Sequence, residues 1–249
     1  MRAGRDSTVD ANATGDNDGG HQQIAGLLPS ESKQGIEVSD LLEDIGRFGL
    51  GAVLEGIYGR FVLVYVFHDI WTIARDHCGE EQVYYWNRNG DLFFADNLAW
   101  LLRSLPVSPE YVEDLDSVRL FETPVGEETS YAGVKRLPPG SMLEFNSVGS
   151  NHVTKYWSVD GLSQVVSDPD QAAQNVQELL KAAIRRRSRF LTKGTVGAFV
   201  SGGLDSSYIS ALASAEGIQL RAGYTCAWPA LDSVYDESCW TALLLGISV

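Results

Sequence analysis

The residues Ser201-Gly202-Gly203-Leu204-Asp205-Ser206-Ser207 lie between an apolar run, Val196–Val200, and a segment of helical spacing that begins near Ser206. Two adjacent glycines let the backbone turn tightly and bring its N–H groups close to an anion with no Cβ in the way. The helix start adds unsatisfied N–H groups and a partial positive charge. Ser201, Ser206 and Ser207 supply hydroxyl donors suited to phosphate oxygens. Asp205 conflicts with an anion unless a cation intervenes, and magnesium bridging its carboxylate to phosphate would resolve that conflict. Without a ligand, the same string reads as a strand-to-helix turn with Ser and Asp caps. The full string in strand–loop–helix order favours phosphate. Neither GxxxxGK[ST] nor GxGxxG occurs, so no other phosphate or dinucleotide loop competes.

Strand Val196–Val200, helix Ser206–Ala215 and strand Leu220–Cys226 make a βαβ unit, the building block of a parallel sheet. Ahead of it, Asp168-Pro169 opens an amphipathic helix running to about Leu191. Ala172, Val176, Leu179, Leu180, Ala183 and Ile184 share one face of it. The polar stretch from Ser158 to Asp168 reads as a linker. The segment before it is strand-rich. Apolar residues recur at helical spacing from Leu41 to Leu54, weakened by Gly46, Gly49 and Gly51. Phe61–Phe67 and Ile70–Ala74 read as a buried hairpin around His68-Asp69. Val83–Trp86 and Asp91–Ala95 read as a second hairpin around Asn87–Gly90. Asn97–Leu105 reads as a short helix ended by Pro106, and Leu137-Pro138-Pro139-Gly140 as a turn before strand Ser141–Phe145. Residues 1–35, rich in Gly, Asp, Asn, Ser and Gln, read as disordered, with order beginning near Val38.

At 249 residues the chain can hold two modest domains. Its 19 Lys+Arg against 33 Asp+Glu leave a net charge of −14, which argues against nucleic-acid or membrane-surface partners, since both need a positive footprint. The basic run Arg185-Arg186-Arg187-Ser188-Arg189 suits a helix C-terminus. Cys78, Cys226 and Cys239 have no CxxC or Cys/His ligand spacing, so the expectation is no structural zinc, no disulfide framework and a cytoplasmic location.

Taken together, the motifs resemble the asparagine synthetase family. SGGLDSS matches the family's pyrophosphate loop. Arg75-Asp76-His77-Cys78-Gly79 with Tyr84-Tyr85 resembles its RDxxGxxPLYY element, with Gln82 where proline is usual. Phe94-Ala95-Asp96 resembles FASE, Gly133–Gly140 resembles GVxxLPPG, and Lys155-Tyr156-Trp157 resembles the YW before the interdomain linker. The resemblance implies an α/β protein: an incomplete N-terminal-nucleophile glutaminase-like sandwich over 36–158, a linker over 159–168, and the first half of a pyrophosphate-loop parallel-sheet domain over 169–249. It implies that Val200, Ser201, Gly202, Gly203, Leu204, Asp205, Ser206, Ser207 and Cys226 border ATP, with magnesium on Asp205. Asp236-Glu237 resembles the family's acidic pair, and reads equally as a helix N-cap.

The implied chemistry is adenylation of a carboxylate, aspartate foremost, followed by attack of ammonia or an amine. The family's glutaminase uses a cysteine at the mature N-terminus. Arg2 follows Met1 here, so no catalytic glutaminase residue is identified, and the family's early strands have no evident counterpart in the leader. The expected chain is a truncated piece of a larger enzyme, inactive by itself, with a second polypeptide as a partner that could complete its sheet. Lasso-peptide cyclases and β-lactam synthetases, which lack that cysteine, are the alternative within the class. A non-catalytic nucleotide-binding fragment is the alternative outside it.

Overall fold

The computed structural model describes residues 2–3, 11–17, 20–26, 38–112, 125–146, 151–160, 166–188 and 196–226. The chain divides into two units, Met1–Leu162 and Ser163–Val249. The first contains strands β1 (Arg2–Ala3), β2 (Ala11–Asn17) and β3 (Gly20–Gly26), helices α1 (Val38–Phe48) and α2 (Leu50–Gly56), and strands β4 (Val62–Phe67), β5 (Ile70–Arg75), β6 (Tyr84–Arg88) and β7 (Asp91–Ala95). Helix α3 (Leu98–Ser104) and strands β8 (Val134–Arg136), β9 (Ser141–Phe145) and β10 (Asn151–Lys155) follow.

Strand alternation explains how these elements layer. Along β4, Leu63 and Tyr65 face a core shared with Leu41, Leu42 and Ile45 of α1 and Leu54 of α2. Val62 and Val64 face the opposite way and meet Val83, Tyr85 and Leu92 from the second hairpin. Tyr85 points into that inter-sheet core, whereas its neighbour Trp86 packs outward with Leu101 of α3 and Val134 of β8. The result is a helix–sheet–sheet–helix sandwich. One sheet runs β10-β9-β5-β4-β3-β2 and the other β1-β7-β6-β8. A strand buried on both faces reads as a continuous apolar run, as Phe61–Phe67 does.

Both hairpins close on two-residue turns in the left-handed region, His68-Asp69 (φ 47° and 61°) and Asn89-Gly90 (φ 55° and 84°). That geometry matches the twist of the flanking strands. β6 therefore continues through Asn87 and Arg88, two residues closer to Gly90 than the sequence suggested. The helix expected over Leu41–Leu54 breaks at Gly49, whose φ is 83°. Asn97 caps α3, its Oδ1 accepting the Trp100 N–H at 3.2 Å.

The expectation of disorder over 1–35 is corrected at residues 2–3, 11–17 and 20–26. β2 pairs antiparallel with β3, and β3 pairs with β4, Gln22 opposite Phe67 and Ile24 opposite Tyr65. β1 runs parallel to β7. Strands therefore exist in the leader that composition alone left empty. The reason is physical: the outer edge of β4 offers N–H and C=O groups that a neighbouring backbone can pair with, whatever its side chains.

The second unit contains α4 (Pro169–Ser188), β11 (Val196–Phe199), α5 (Leu204–Ala215) and β12 (Leu220–Tyr224). β11 and β12 are parallel, with Phe199 opposite Tyr224, and α5 makes the crossover between them. Arg185 forms an ion pair with Glu216, and Gln177 Nε2 donates to the Tyr208 hydroxyl at 3.1 Å, tying α4 to α5. No α4 residue is fully buried; Val176 and Leu179 of its apolar stripe are exposed. Among the described residues, no helix is long and apolar enough to cross a membrane.

Candidate functional site

β11 ends at Phe199 and α5 starts at Leu204, so the loop expected to hold phosphate joins a strand to a helix N-terminus. Val200 is buried and donates its N–H to the Tyr224 carbonyl at 2.8 Å, continuing the β11–β12 pairing into the loop. Gly202 has φ 79°, a conformation that an L side chain would strain. Gly203 is the α5 N-cap and offers no side-chain acceptor to the first turn. The helix start is therefore uncapped from within, and Asp205 stands exposed in its first turn.

The hydroxyls close on their own loop. Ser206 Oγ accepts from Ser201 N (3.2 Å), Ser201 Oγ accepts from Gly203 N (3.3 Å), and the two Oγ atoms are 3.1 Å apart. Ser207 Oγ donates to the Gly203 carbonyl at 2.6 Å. An arriving anion would exchange these internal bonds for its own oxygens. Leu204 points outward, 84% exposed, and Cys226 is exposed just beyond the end of β12. A cavity of about 470 Å³ opens beside Asp205 and Ser206, walled by Ala198, Phe199, Ile209 and Leu220. Among the described residues, no three His, Cys, Asp or Glu side chains converge as a metal site. A magnesium ion here would depend on Asp205 together with ligand oxygens, the mode that suits its octahedral, water-retaining chemistry. Asp236, Glu237 and Cys239 lie outside the described residues.

In the first unit, three sequence elements far apart in the chain meet in one knot. Arg75 and Asp76 are 3% and 1% exposed. The Arg75 guanidinium donates to the carbonyls of Glu81, Leu137 and Gly79 (2.5, 2.5 and 2.7 Å). Asp76 accepts the N–H groups of Glu80 and Glu81, both at 2.9 Å. Burial lowers the Arg75 guanidinium from its ordinary value, and Asp76 opposes that shift. Gly140 donates to the Asp76 carbonyl, Tyr156 and Trp157 donate to that of Gly140, and the Tyr156 hydroxyl reaches the Arg75 carbonyl at 2.6 Å. Burial first, and Asp76 second, raise the Tyr156 hydroxyl above its ordinary range. The knot locks backbone to backbone; its charged groups are saturated, which suits a positioning role. The sequence marked these residues only as pieces of a pattern. Their convergence could not be seen there, because the partners are carbonyls.

Comparison with known proteins bears on both units. A glutamine amidotransferase domain model matches residues 32–157, half of the chain, and an asparagine synthase model matches residues 175–245. The chain is 29% identical over 147 residues to asparagine synthetase [glutamine-hydrolyzing] 3 of Bacillus subtilis (strain 168), covering 57% of this chain and 23% of that protein. To asparagine synthetase [glutamine-hydrolyzing] 1 of the same organism it is 26% identical over 143 residues, covering 56% of this chain and 22% of that protein. It thus spans less than a quarter of the length of each. Among solved structures, glutamine phosphoribosylpyrophosphate amidotransferase from B. subtilis aligns over 88% of this chain and 49% of its own, at 15% identity and a TM-score of 0.37. With an amidotransferase-type unit matched ahead of an asparagine-synthase-type unit, in the order in which the motifs run, the chain belongs to the asparagine synthetase family.

Proposed function

We propose that this asparagine synthetase-like chain contributes the pyrophosphate-holding part of an ATP-dependent amide-forming ligase, with aspartate as the foremost carboxylate and ammonia or an amine as the nitrogen donor. The observation that supports it is the uncapped start of α5 behind Gly202, with Asp205 in the first helical turn. An anion at that start gains the N–H groups that no side chain takes. Ser201 and Ser206 would turn their hydroxyls from each other toward phosphate oxygens. Asp205 would hold magnesium, whose charge offsets that of the phosphates. When bound, ATP supplies an activated phosphorus for the carboxylate and a pyrophosphate leaving group. The chain's own task is to fix that leaving group and stabilise its charge. The free thiols Cys78 and Cys226 fit a reducing, cytoplasmic compartment.

Calorimetric titration with ATP, with and without magnesium, tests this reading. Wild-type protein should bind in a magnesium-dependent manner, and Asp205→Ala should lose that dependence. Equal affinities for the two proteins would remove the assignment.

A further inference from the structure

We propose that Asn89-Gly90, at the tip of the second hairpin, is a self-modifying site in the folded protein. The Gly90 backbone nitrogen attacks the Asn89 side-chain amide, and water then leaves aspartate or isoaspartate in place of asparagine. This is the one Asn-Gly pair in the sequence. Glycine has no Cβ to shield the attacking nitrogen. Both residues are exposed, and a Cβ built on Gly90 meets nothing within 4 Å, so the tip has room to turn about the Asn89 Cα–C bond. Strand pairing ends with Arg88 opposite Asp91. The peptide between Asn89 and Gly90 therefore lies outside the ladder, where solvent base can take its proton.

Other asparagine side chains are held. Asn97 Oδ1 accepts the Trp100 N–H, and Asn175 Oδ1 accepts from Gln171 Nε2 at 2.9 Å. Leucine and valine follow these two, each shielding its own nitrogen. Among the described residues, no hydrogen bond engages the Asn89 amide. The step balances without any cofactor. A bond forms from Gly90 N to Asn89 Cγ, and the side-chain nitrogen leaves as ammonia with the Gly90 proton. Water then opens the five-membered imide. Cleavage at Cγ gives aspartate; cleavage at the Asn89 main-chain carbonyl gives isoaspartate, with the backbone running through Cβ and Cγ. The two products act differently on the fold. Aspartate tolerates the left-handed backbone of residue 89, whose φ is 55°. Isoaspartate adds a backbone carbon to a two-residue turn. The strands joined there set Trp86 opposite Phe93 and carry Tyr85 and Leu92 into the inter-sheet core. Isoaspartate strains that register, so the reaction marks and loosens ageing copies of the first unit.

The test incubates the full-length folded chain at neutral and mildly alkaline pH, beside a peptide of residues 86–93 and the chain in urea. Tandem mass spectrometry locates the products, and an isoaspartyl methyltransferase counts isoaspartate. Residue 89 should convert in the folded chain within roughly tenfold of the peptide rate, because a loop tip opens at little free-energy cost. Conversion should be faster at the higher pH, with Asn97 and Asn175 unchanged over the same time. Gly90→Ala should lose the reaction. Asn89→Asp should keep the wild-type urea midpoint, whereas the isoaspartate fraction should unfold at lower urea. Conversion in the peptide and in urea but not in the folded chain would overturn the proposal, as would equal conversion at Asn97. The loop at Ser201–Ser207 takes no part, so ATP binding succeeds or fails independently.

Discussion

Gly79 shows how one residue sets a structural knot. It has φ 67°, and a Cβ built there would lie 2.7 Å from Arg75 Nη2 and 2.8 Å from Pro139 Cγ. Arg75 cannot retreat, because the same guanidinium is bonded to three carbonyls. Gly79→Ala is therefore expected to cost about 3 kcal/mol, combining left-handed backbone strain with overpacking. Gly90 has a similar φ of 84° but nothing within 4 Å of a Cβ, so Gly90→Ala should cost only about 1 kcal/mol. Urea unfolding of the two variants separates the steric from the conformational cost; equal losses would show that Arg75 moves freely. At the Ser201–Ser207 loop the strand–loop–helix order was legible from sequence, since two glycines mark a tight turn; the helix itself starts at Leu204 behind Gly203, two residues before Ser206 and without the Ser or Asp cap that the residue types offered. The mutual bonding of Ser201 and Ser206 was not, because it depends on distances that types do not encode.

Elements were legible wherever side chains alternate or turn residues have a fixed conformational cost. The two hairpins, the Asn97-capped helix and the βαβ order all leave such marks. β2 and β3 do not. β3 pairs with backbone groups on the edge of β4 and β2 with those of β3, and Gly, Asn and Gln along 11–26 give no alternation to read. Hydrogen exchange checks this directly. Amides within 20–26 that bond across to β4 should exchange at least tenfold more slowly than free peptide, because an edge-paired strand opens only with its sheet. Free-peptide rates throughout 20–26 would restore the compositional reading of a disordered leader. The α4 stripe shows the converse: Val176 and Leu179 have helical periodicity but stay exposed, so periodicity located the helix without determining what covers it.

At the scale of the whole molecule the two units differ in how they hold together. The first has three apolar cores and every strongly buried tyrosine among the described residues: Tyr65, Tyr85 and Tyr156. The second leaves Phe199 82% exposed on a two-stranded pair, and Tyr208 and Tyr224 face solvent. Burial raises the hydroxyls of Tyr65, Tyr85 and Tyr156 above their ordinary value of 10.0, helped at Tyr85 by Glu127. Below pH 10 these groups are protonated in both folded and unfolded chain, and their stabilising contribution is fully present. Above it the unfolded chain releases protons that the folded unit still holds, so stability falls as pH rises. Each group removes up to about 1.4 kcal/mol per pH unit there. Urea titrations at pH 8 and pH 10.5, followed by near-UV circular dichroism from the buried aromatics, should show the first unit's midpoint dropping. Tyr156→Phe should cost about 1 kcal/mol at pH 8, through the hydroxyl bond lost to the Arg75 carbonyl. It should also flatten the alkaline decline, because one of the three retained protons is gone. An unchanged decline in Tyr156→Phe would mean that this hydroxyl titrates freely in the folded protein, and that the knot around Arg75 opens before the sandwich does.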